Sequence, residues 1–138
     1  MARLKLDQDA LGLSFKLERL AKIRVKDCFK NDETIFYVVS NGDLGRALGK
    51  GAVNIKKLQQ ELGKYIRIVE FREDLIGFVK NVIYPVKAEE IVQEDENTIL
   101  IKDSRKKAKS LLIGRGGKNL QLINRAVRRF FNVEVRVV

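Results

Sequence analysis

The sequence has 138 residues, 28 Lys plus Arg against 18 Asp plus Glu, a formal charge of +10, one cysteine and no histidine. Without imidazole there is no Ser-His-Asp or Cys-His pairing and no His metal ligand, and the lone Cys28 excludes an internal disulfide, a zinc knuckle and an iron–sulfur cluster. A hydrophobic content of 45% supports a buried core, no apolar run approaches the roughly 20 residues that span a bilayer, and the first ten residues lack a secretion signal; the expectation is a cytoplasmic globular protein with no membrane contact, cofactor or metal, and with a polyanionic partner, most often nucleic acid.

In chain order, Ala10, Leu13, Leu17, Leu20 and Ala21 recur at helical spacing and predict an amphipathic helix. Ile23 to Lys30 alternates Ile23, Val25 and Phe29 with charge, which predicts a half-buried strand. Asn31-Asp32-Glu33 supplies a polar turn, and Thr34–Val39 is β-branched and aromatic, so the pair reads as a hairpin. Gly42-Asp43 opens a short helix that ends in Leu48-Gly49-Lys50-Gly51-Ala52-Val53-Asn54-Ile55. A further helix and the alternating segment Tyr65–Val69 complete this half.

The same order then returns. Leu75, Ile76, Val79, Val82 and Ile83 form a helical face stopped by Pro85. Val86–Gln93 and Thr98–Lys102 flank the turn Glu94-Asp95-Glu96-Asn97 and predict a second hairpin. Asp103 or Ser104 is placed to cap the next helix, which delivers Ile113-Gly114-Arg115-Gly116-Gly117-Lys118-Asn119-Leu120. After it, the apolar set Leu120, Ile123, Val127, Phe130, Phe131 and the polar set Lys118, Gln121, Arg125, Arg128, Arg129 share one spacing, two residues apart. Two residues turn a helix by about 200°, so the sets face opposite ways; the phenylalanines read as core, and Leu122 falls between the faces. Val133–Val137 is the last strand.

The two glycine clusters align at a fixed offset of 65 residues: apolar, Gly, basic, Gly, small, variable, Asn, apolar. The chain is therefore an internal duplication, each half helix, strand, strand, helix, glycine turn, helix, strand, with domains 1–71 and 72–138 and no Pro/Gly/Ser linker. Halves of this size bury modest cores, so they are expected to pack as one compact unit. Charge follows the same plan. From Lys102 to Arg129 ten basic residues face one acid, and from Arg46 to Lys64 five face one, whereas Glu89, Glu90, Glu94, Asp95 and Glu96 gather elsewhere.

A glycine turn before a helix exposes amide N–H groups that attract phosphate, and the missing Cβ lets a sugar–phosphate backbone approach. A tight turn between antiparallel helices explains one such cluster equally well; two copies, each with a basic residue between the glycines, favour phosphate. Neither is a Walker A loop, which needs Gly at 112 and Ser or Thr at 119 where Leu112 and Asn119 stand, nor a Rossmann fingerprint, which needs Gly at 54 or 119. Lone acids such as Asp27 or Asp43 make no catalytic constellation, so no enzyme is expected.

An apolar-Gly-x-x-Gly turn between two helices, beside a small sheet, resembles the KH domain, in which this loop clamps the backbone of about four single-stranded nucleotides. The αββααβ order resembles the type II arrangement, and the tandem pair with Leu48–Ile55 and Ile113–Leu120 resembles the archaeal NusA-like transcription factors. The fold class implied is α+β, two tandem type II KH domains. The function implied is single-stranded RNA binding in transcription elongation, termination or antitermination, by a monomer, with RNA polymerase or other transcription proteins as further partners that would have to use a KH surface. The RNA-binding residues implied are Gly114, Arg115, Gly116, Gly117, Lys118, Asn119, Gln121 and Arg125 in the second unit, and Gly49, Lys50, Gly51, Ala52, Asn54, Lys56 and Lys57 in the first. Asn54 and Asn119 have an equal alternative, holding the loop by side chain–backbone bonds. Lys56 and Lys57 suit a general field, and Arg105, Lys106, Lys107 and Lys109 extend the RNA track or face protein or solvent. Ala52 replaces the last glycine, so the first loop is expected to be tilted, weakened or indifferent to positive φ there, and the second unit to dominate affinity. The competing readings are a ribosomal-RNA assembly factor and a protein-interaction scaffold built on degenerate KH units.

Overall fold

The computed structural model describes residues 2–138, with side chains from Asp9 onward. The chain divides between Phe71 and Arg72 into two compact units.

In the first unit, helix α1 (Ala2–Ala21) carries Leu17 fully buried, with Leu13, Leu20 and Ala21 packed beside it. Strands β1 (Val25–Lys30) and β2 (Thr34–Val39) pair antiparallel, closed by Asn31, whose Oδ1 accepts the amides of Glu33 and Thr34 at 2.9 and 2.8 Å. Helices α2 (Leu44–Leu48) and α3 (Val53–Leu62) follow, and β3 (Tyr65–Glu70) joins β2 in parallel, giving the order β1-β2-β3. Ile35, Tyr37 and Val39 of β2 enter a core with Leu17, Cys28, Ala47, Leu58 and Ile66. Tyr37 donates its hydroxyl to the Leu13 carbonyl at 2.8 Å, so a buried phenol is satisfied.

The second unit repeats the plan. Helix α4 (Leu75–Ile83) is capped by Asp74, whose Oδ2 accepts the Gly77 amide at 2.8 Å. Strands β4 (Glu90–Asp95) and β5 (Thr98–Lys102) pair antiparallel. Helices α5 (Lys106–Ile113) and α6 (Lys118–Arg128) precede β6 (Glu134–Val137), which pairs parallel with β5 in the order β4-β5-β6. Both units are αββααβ, as the duplication predicts, and the fold is mixed α+β with one three-stranded sheet in each unit.

Five details differ from the sequence reading. In β1, Val25 and Asp27 oppose the adjacent residues Val39 and Val38, so a bulge at Lys26 inverts the alternation beyond it. Cys28 therefore enters the core, while Phe29 turns to the other face and stacks on Phe36 with centroids 4.8 Å apart. In α4 the fully buried aromatic is Phe78, and Ile76 is exposed. Strand β4 starts at Glu90 rather than Val86 and runs to Asp95. Residues 87–89 are held by side chains instead of a ladder: Arg105 Nη2 donates to the Lys87 carbonyl at 2.8 Å, and Glu89 N donates to Asp103 Oδ2 at 3.2 Å. At the start of α5, Asp103 accepts the amide of Arg105, the residue before the helix, and Ser104 donates its hydroxyl to Glu89. Finally, α6 ends at Arg128. Leu122, Ile123, Ala126 and Val127 are buried on it, because α4 and α5 both pack against this helix and widen its apolar face. Phe130 and Phe131 lie beyond it, half-buried against Phe78 at 5.7 and 5.9 Å.

Candidate nucleic-acid interface

Each glycine cluster forms one 3-10 turn between two helices, Lys50–Ala52 in the first unit and Arg115–Gly117 in the second. The backbone repeats closely. Gly49 and Gly114 have φ/ψ of 73/168° and 75/171°, and Gly51 and Gly116 have 64/25° and 63/19°. Ala52 at 57/32° takes the left-handed conformation that Gly117 takes at 78/9°. The alanine thus adopts positive φ against a cost of about 1–2 kcal/mol, and the first loop keeps the shape of the second. Of the three outcomes open for Ala52, neither a tilted loop nor relief from positive φ is what the structure contains.

The glycines have different jobs. A Cβ at Gly114 would lie 2.7 Å from Asn119 Cβ and 2.9 Å from its amide nitrogen, and one at Gly49 would lie 2.9 Å from Asn54 Nδ2 and Val53 Cγ1. A Cβ at Gly51, Gly116 or Gly117 would meet nothing within 4 Å. The first glycine therefore admits the asparagine, and the others leave bare backbone on the surface. Asn54 Nδ2 donates to the Arg46 and Ala47 carbonyls at 3.3 and 3.1 Å, and Asn119 Nδ2 to those of Leu111 and Leu112 at 3.2 and 2.9 Å. Both asparagines tie the start of one helix to the end of the other, and Asn54 is buried.

The amides of Ala52 and Gly117 close the turn on the carbonyls of Gly49 and Gly114, at 3.0 and 3.1 Å. Those of Val53 and Lys118 bond to Lys50 and Arg115. Among the described residues nothing accepts from the amides of Lys50, Gly51, Arg115 or Gly116. Each loop therefore presents two adjacent N–H groups at an exposed helix start, with the side chain of Lys50 or Arg115 beside them, an arrangement that favours an anionic oxygen.

Beyond the loops, Lys56 and Lys57 are exposed on α3, and Lys118, Gln121 and Arg125 are exposed on α6. In the second unit the loop continues into an open groove of about 820 Å³ lined by Gly117, Leu120, Gln121, Asn124, Arg125, Arg128, Arg129 and Glu134. Leu120, expected in the core, lines this groove. Arg128 and Arg129 were legible as members of the polar stripe that starts at Lys118, whereas Asn124 and Glu134 carried no such signal. Leu111 and Ile113 leave apolar surface beside the loop, 56% and 37% exposed.

Arg105 is ion-paired within its own unit. Its Nε and Nη2 donate to Asp103 at 2.9 and 2.7 Å, and a second Nη2 bond reaches Lys87. The Arg105 guanidinium in turn holds the buried Asp103 carboxyl well below the usual carboxylate range. Among the described residues no group of Asp, Glu or Cys is disposed to hold a metal ion, and no helix is long and apolar enough to cross a membrane.

Residues 14–91, more than half the chain, match the model of the KH domain. A protein of Methanococcus vannielii named "Probable transcription termination protein NusA" is 34% identical over 91% of this chain and 72% of its own length. Proteins of the same name from Methanocaldococcus jannaschii and Thermoplasma acidophilum are 26% and 27% identical, covering 100% and 96% of this chain and 77% and 94% of their own lengths. The crystal structure of APE1850 superposes with a TM-score of 0.72 at 30% identity, covering 95% of this chain and 99% of that one. Duplicated glycine turns, αββααβ units and these relatives converge: the chain belongs to the KH-domain family and is NusA-like in the archaeal manner.

Proposed function

We propose that this protein binds single-stranded RNA in a transcription-related role, without catalysis, and that each glycine turn clamps the sugar–phosphate backbone. The observation that carries this reading is the repeated pair of open amides, Lys50 with Gly51 and Arg115 with Gly116, each at the head of a cationic helix. Phosphate oxygens accept from the amides, Lys50 and Arg115 neutralise charge, and the absence of side chains at Gly51 and Gly116 lets the strand approach. Lys118, Gln121 and Arg125 continue the path along α6, while Lys56 and Lys57 supply a field along α3. Asn54 and Asn119 act from behind, by fixing the loop. The name shared by the relatives supports a place in termination, antitermination or elongation, with the transcription machinery as a further partner of a monomer.

The second unit carries most of the affinity, because its loop has three glycines and leads into the arginine-lined groove. In fluorescence-anisotropy titrations with single-stranded oligoribonucleotides, the pair Arg115→Asp and Gly116→Asp weakens binding more than the pair Lys50→Asp and Gly51→Asp. Equal losses overturn the ranking. Log affinity falls with log salt at about −0.7 per phosphate neutralised, so several contacts give a slope of several times that value. Binding indifferent to salt, or a preference for duplex, overturns the clamp itself.

A further inference from the structure

Strand β6 is an edge of the second sheet, its residue Glu134 lines the groove, and one side chain occupies its outer edge. The amide of Glu134 donates to the Asn97 carbonyl at 2.7 Å and that of Val138 to Ile101 at 3.0 Å. In a parallel ladder alternate residues face the partner strand, so Glu134 and Arg136 bond toward β5, and Val135 turns its N–H and C=O outward. Such an edge is a donor and an acceptor side by side, which is what the hydrogen-bonding edge of a nucleobase complements. Here both groups are taken. Asn124 Oδ1 accepts from Val135 N at 2.8 Å, and Asn124 Nδ2 donates to Val135 O at 3.0 Å. The same asparagine lines the groove. In the first unit the corresponding clasp is half made: Gln59 Oε1 accepts from Ile66 N at 3.4 Å, and no side-chain donor reaches the Ile66 carbonyl among the described residues.

We propose that Asn124 determines specificity in the second unit by closing the β6 edge, so that this groove holds RNA by charge and shape and does not read a base with its strand. The inference rests on RNA occupying this groove, as proposed above. The remaining polar groups agree with it. Arg125, Arg128 and Arg129 are donors suited to phosphate or to stacking under a base, and the Glu134 carboxylate already accepts from Arg136 at 3.1 and 3.3 Å. Removing the carboxamide frees an N–H and a C=O at the groove wall and turns a tolerant site into a reading one.

The test uses the full chain carrying Lys50→Asp and Gly51→Asp, so that the second unit dominates binding to eight-nucleotide oligomers of A, C and U. With Asn124 present, the strongest and weakest of the three differ by less than tenfold; with Asn124→Ala, the spread exceeds tenfold. A spread above tenfold with Asn124 present overturns the proposal, as does a spread that stays below tenfold in a variant whose circular dichroism is unchanged. If Asn124→Ala does not fold, the unaltered protein decides. On saturation with RNA, the NMR signals of the Val135 amide and the Asn124 carboxamide keep their protection from hydrogen exchange; loss of that protection shows that RNA displaces the clasp and overturns the proposal. The underlying reading fails separately, by undiminished RNA binding after Arg115→Asp and Gly116→Asp.

Discussion

The sharpest quantitative consequence concerns which loop glycine tolerates a methyl group. At Gly114, φ/ψ of 75/171° lies in a region essentially reserved for glycine, where another residue costs about 1–3 kcal/mol. The added Cβ would also lie 2.7 Å from Asn119 Cβ and 2.9 Å from Asn119 N. Neither atom moves freely, because Asn119 is the second residue of α6 and its carboxamide is bonded to Leu111 and Leu112. Relieving such overpacking costs about a further 1–3 kcal/mol, and the reduced unfolded-state entropy returns about 0.4–1 kcal/mol, so Gly114→Ala destabilises the second unit by ~3 kcal/mol. Gly116 sits at 63/19° in open space. Alanine there meets only the left-handed cost of about 1–2 kcal/mol, partly offset by about 0.4–1 kcal/mol of lost unfolded-state entropy, a net of ~0.5–1 kcal/mol. Gly49→Ala falls between the two, since its obstacles at 2.9 Å are the side chains of Asn54 and Val53, and the exposed Val53 can rotate. Urea unfolding followed by circular dichroism gives the totals, and amide hydrogen exchange assigns each loss to its unit. At about 4–8 °C per kcal/mol for a domain of this size, Gly114→Ala also lowers the melting temperature of the second unit by more than about 10 °C. If Gly114→Ala costs no more than Gly116→Ala, the close approach of Asn119 does not constrain the loop and the division of labour among the glycines is wrong.

Two further outcomes follow from the same geometry. Ala52→Gly relieves the left-handed alanine, and after subtracting glycine's unfolded-state entropy it stabilises the first unit by ~0.5 kcal/mol; Gly117→Ala moves the second unit by a similar amount in the opposite direction, and a destabilising Ala52→Gly in urea titrations refutes the strain. Asp103 introduces a pH dependence. Its folded pKa is depressed, foremost by the Arg105 hydrogen bond, so its contribution is complete above the ordinary Asp value near 3.9 and is lost as pH falls from there toward the folded value, because the unfolded chain binds the proton first. Urea midpoints measured from neutral pH to pH 2 therefore fall more steeply in the native protein than in Asp103→Asn, and parallel curves refute the assignment.

What the sequence made legible is what repeats. The offset that aligns Gly49 with Gly114 carries the whole αββααβ order with it, and the paired Asn54 and Asn119 were visible at matching positions even though their inward bonds were only one of two readings. What stayed hidden depends on contacts that periodicity does not encode. A bulge at Lys26 adds one residue and exchanges Phe29 for Cys28 in the core, and nothing in the local spelling marks it. Leu122 and Ala126 are buried because α6 is packed by α4 and α5 together, so its apolar face is wider than a single stripe. Asn124 was the least legible of all. A polar residue in mid-helix reads as solvated until the edge strand it clasps is in view, and that strand comes ten residues later, paired in register with β5. The residues that fix loop shape were thus accessible from pattern, and the residue that closes the strand edge beside the groove became visible only when helix and strand were brought together. Between the two units the loop shape is kept, as Ala52 shows by accepting strain to preserve it, whereas the contact of Asn124 with Val135 is only half matched by that of Gln59 with Ile66, so the two copies differ in such edge contacts and not in the loops.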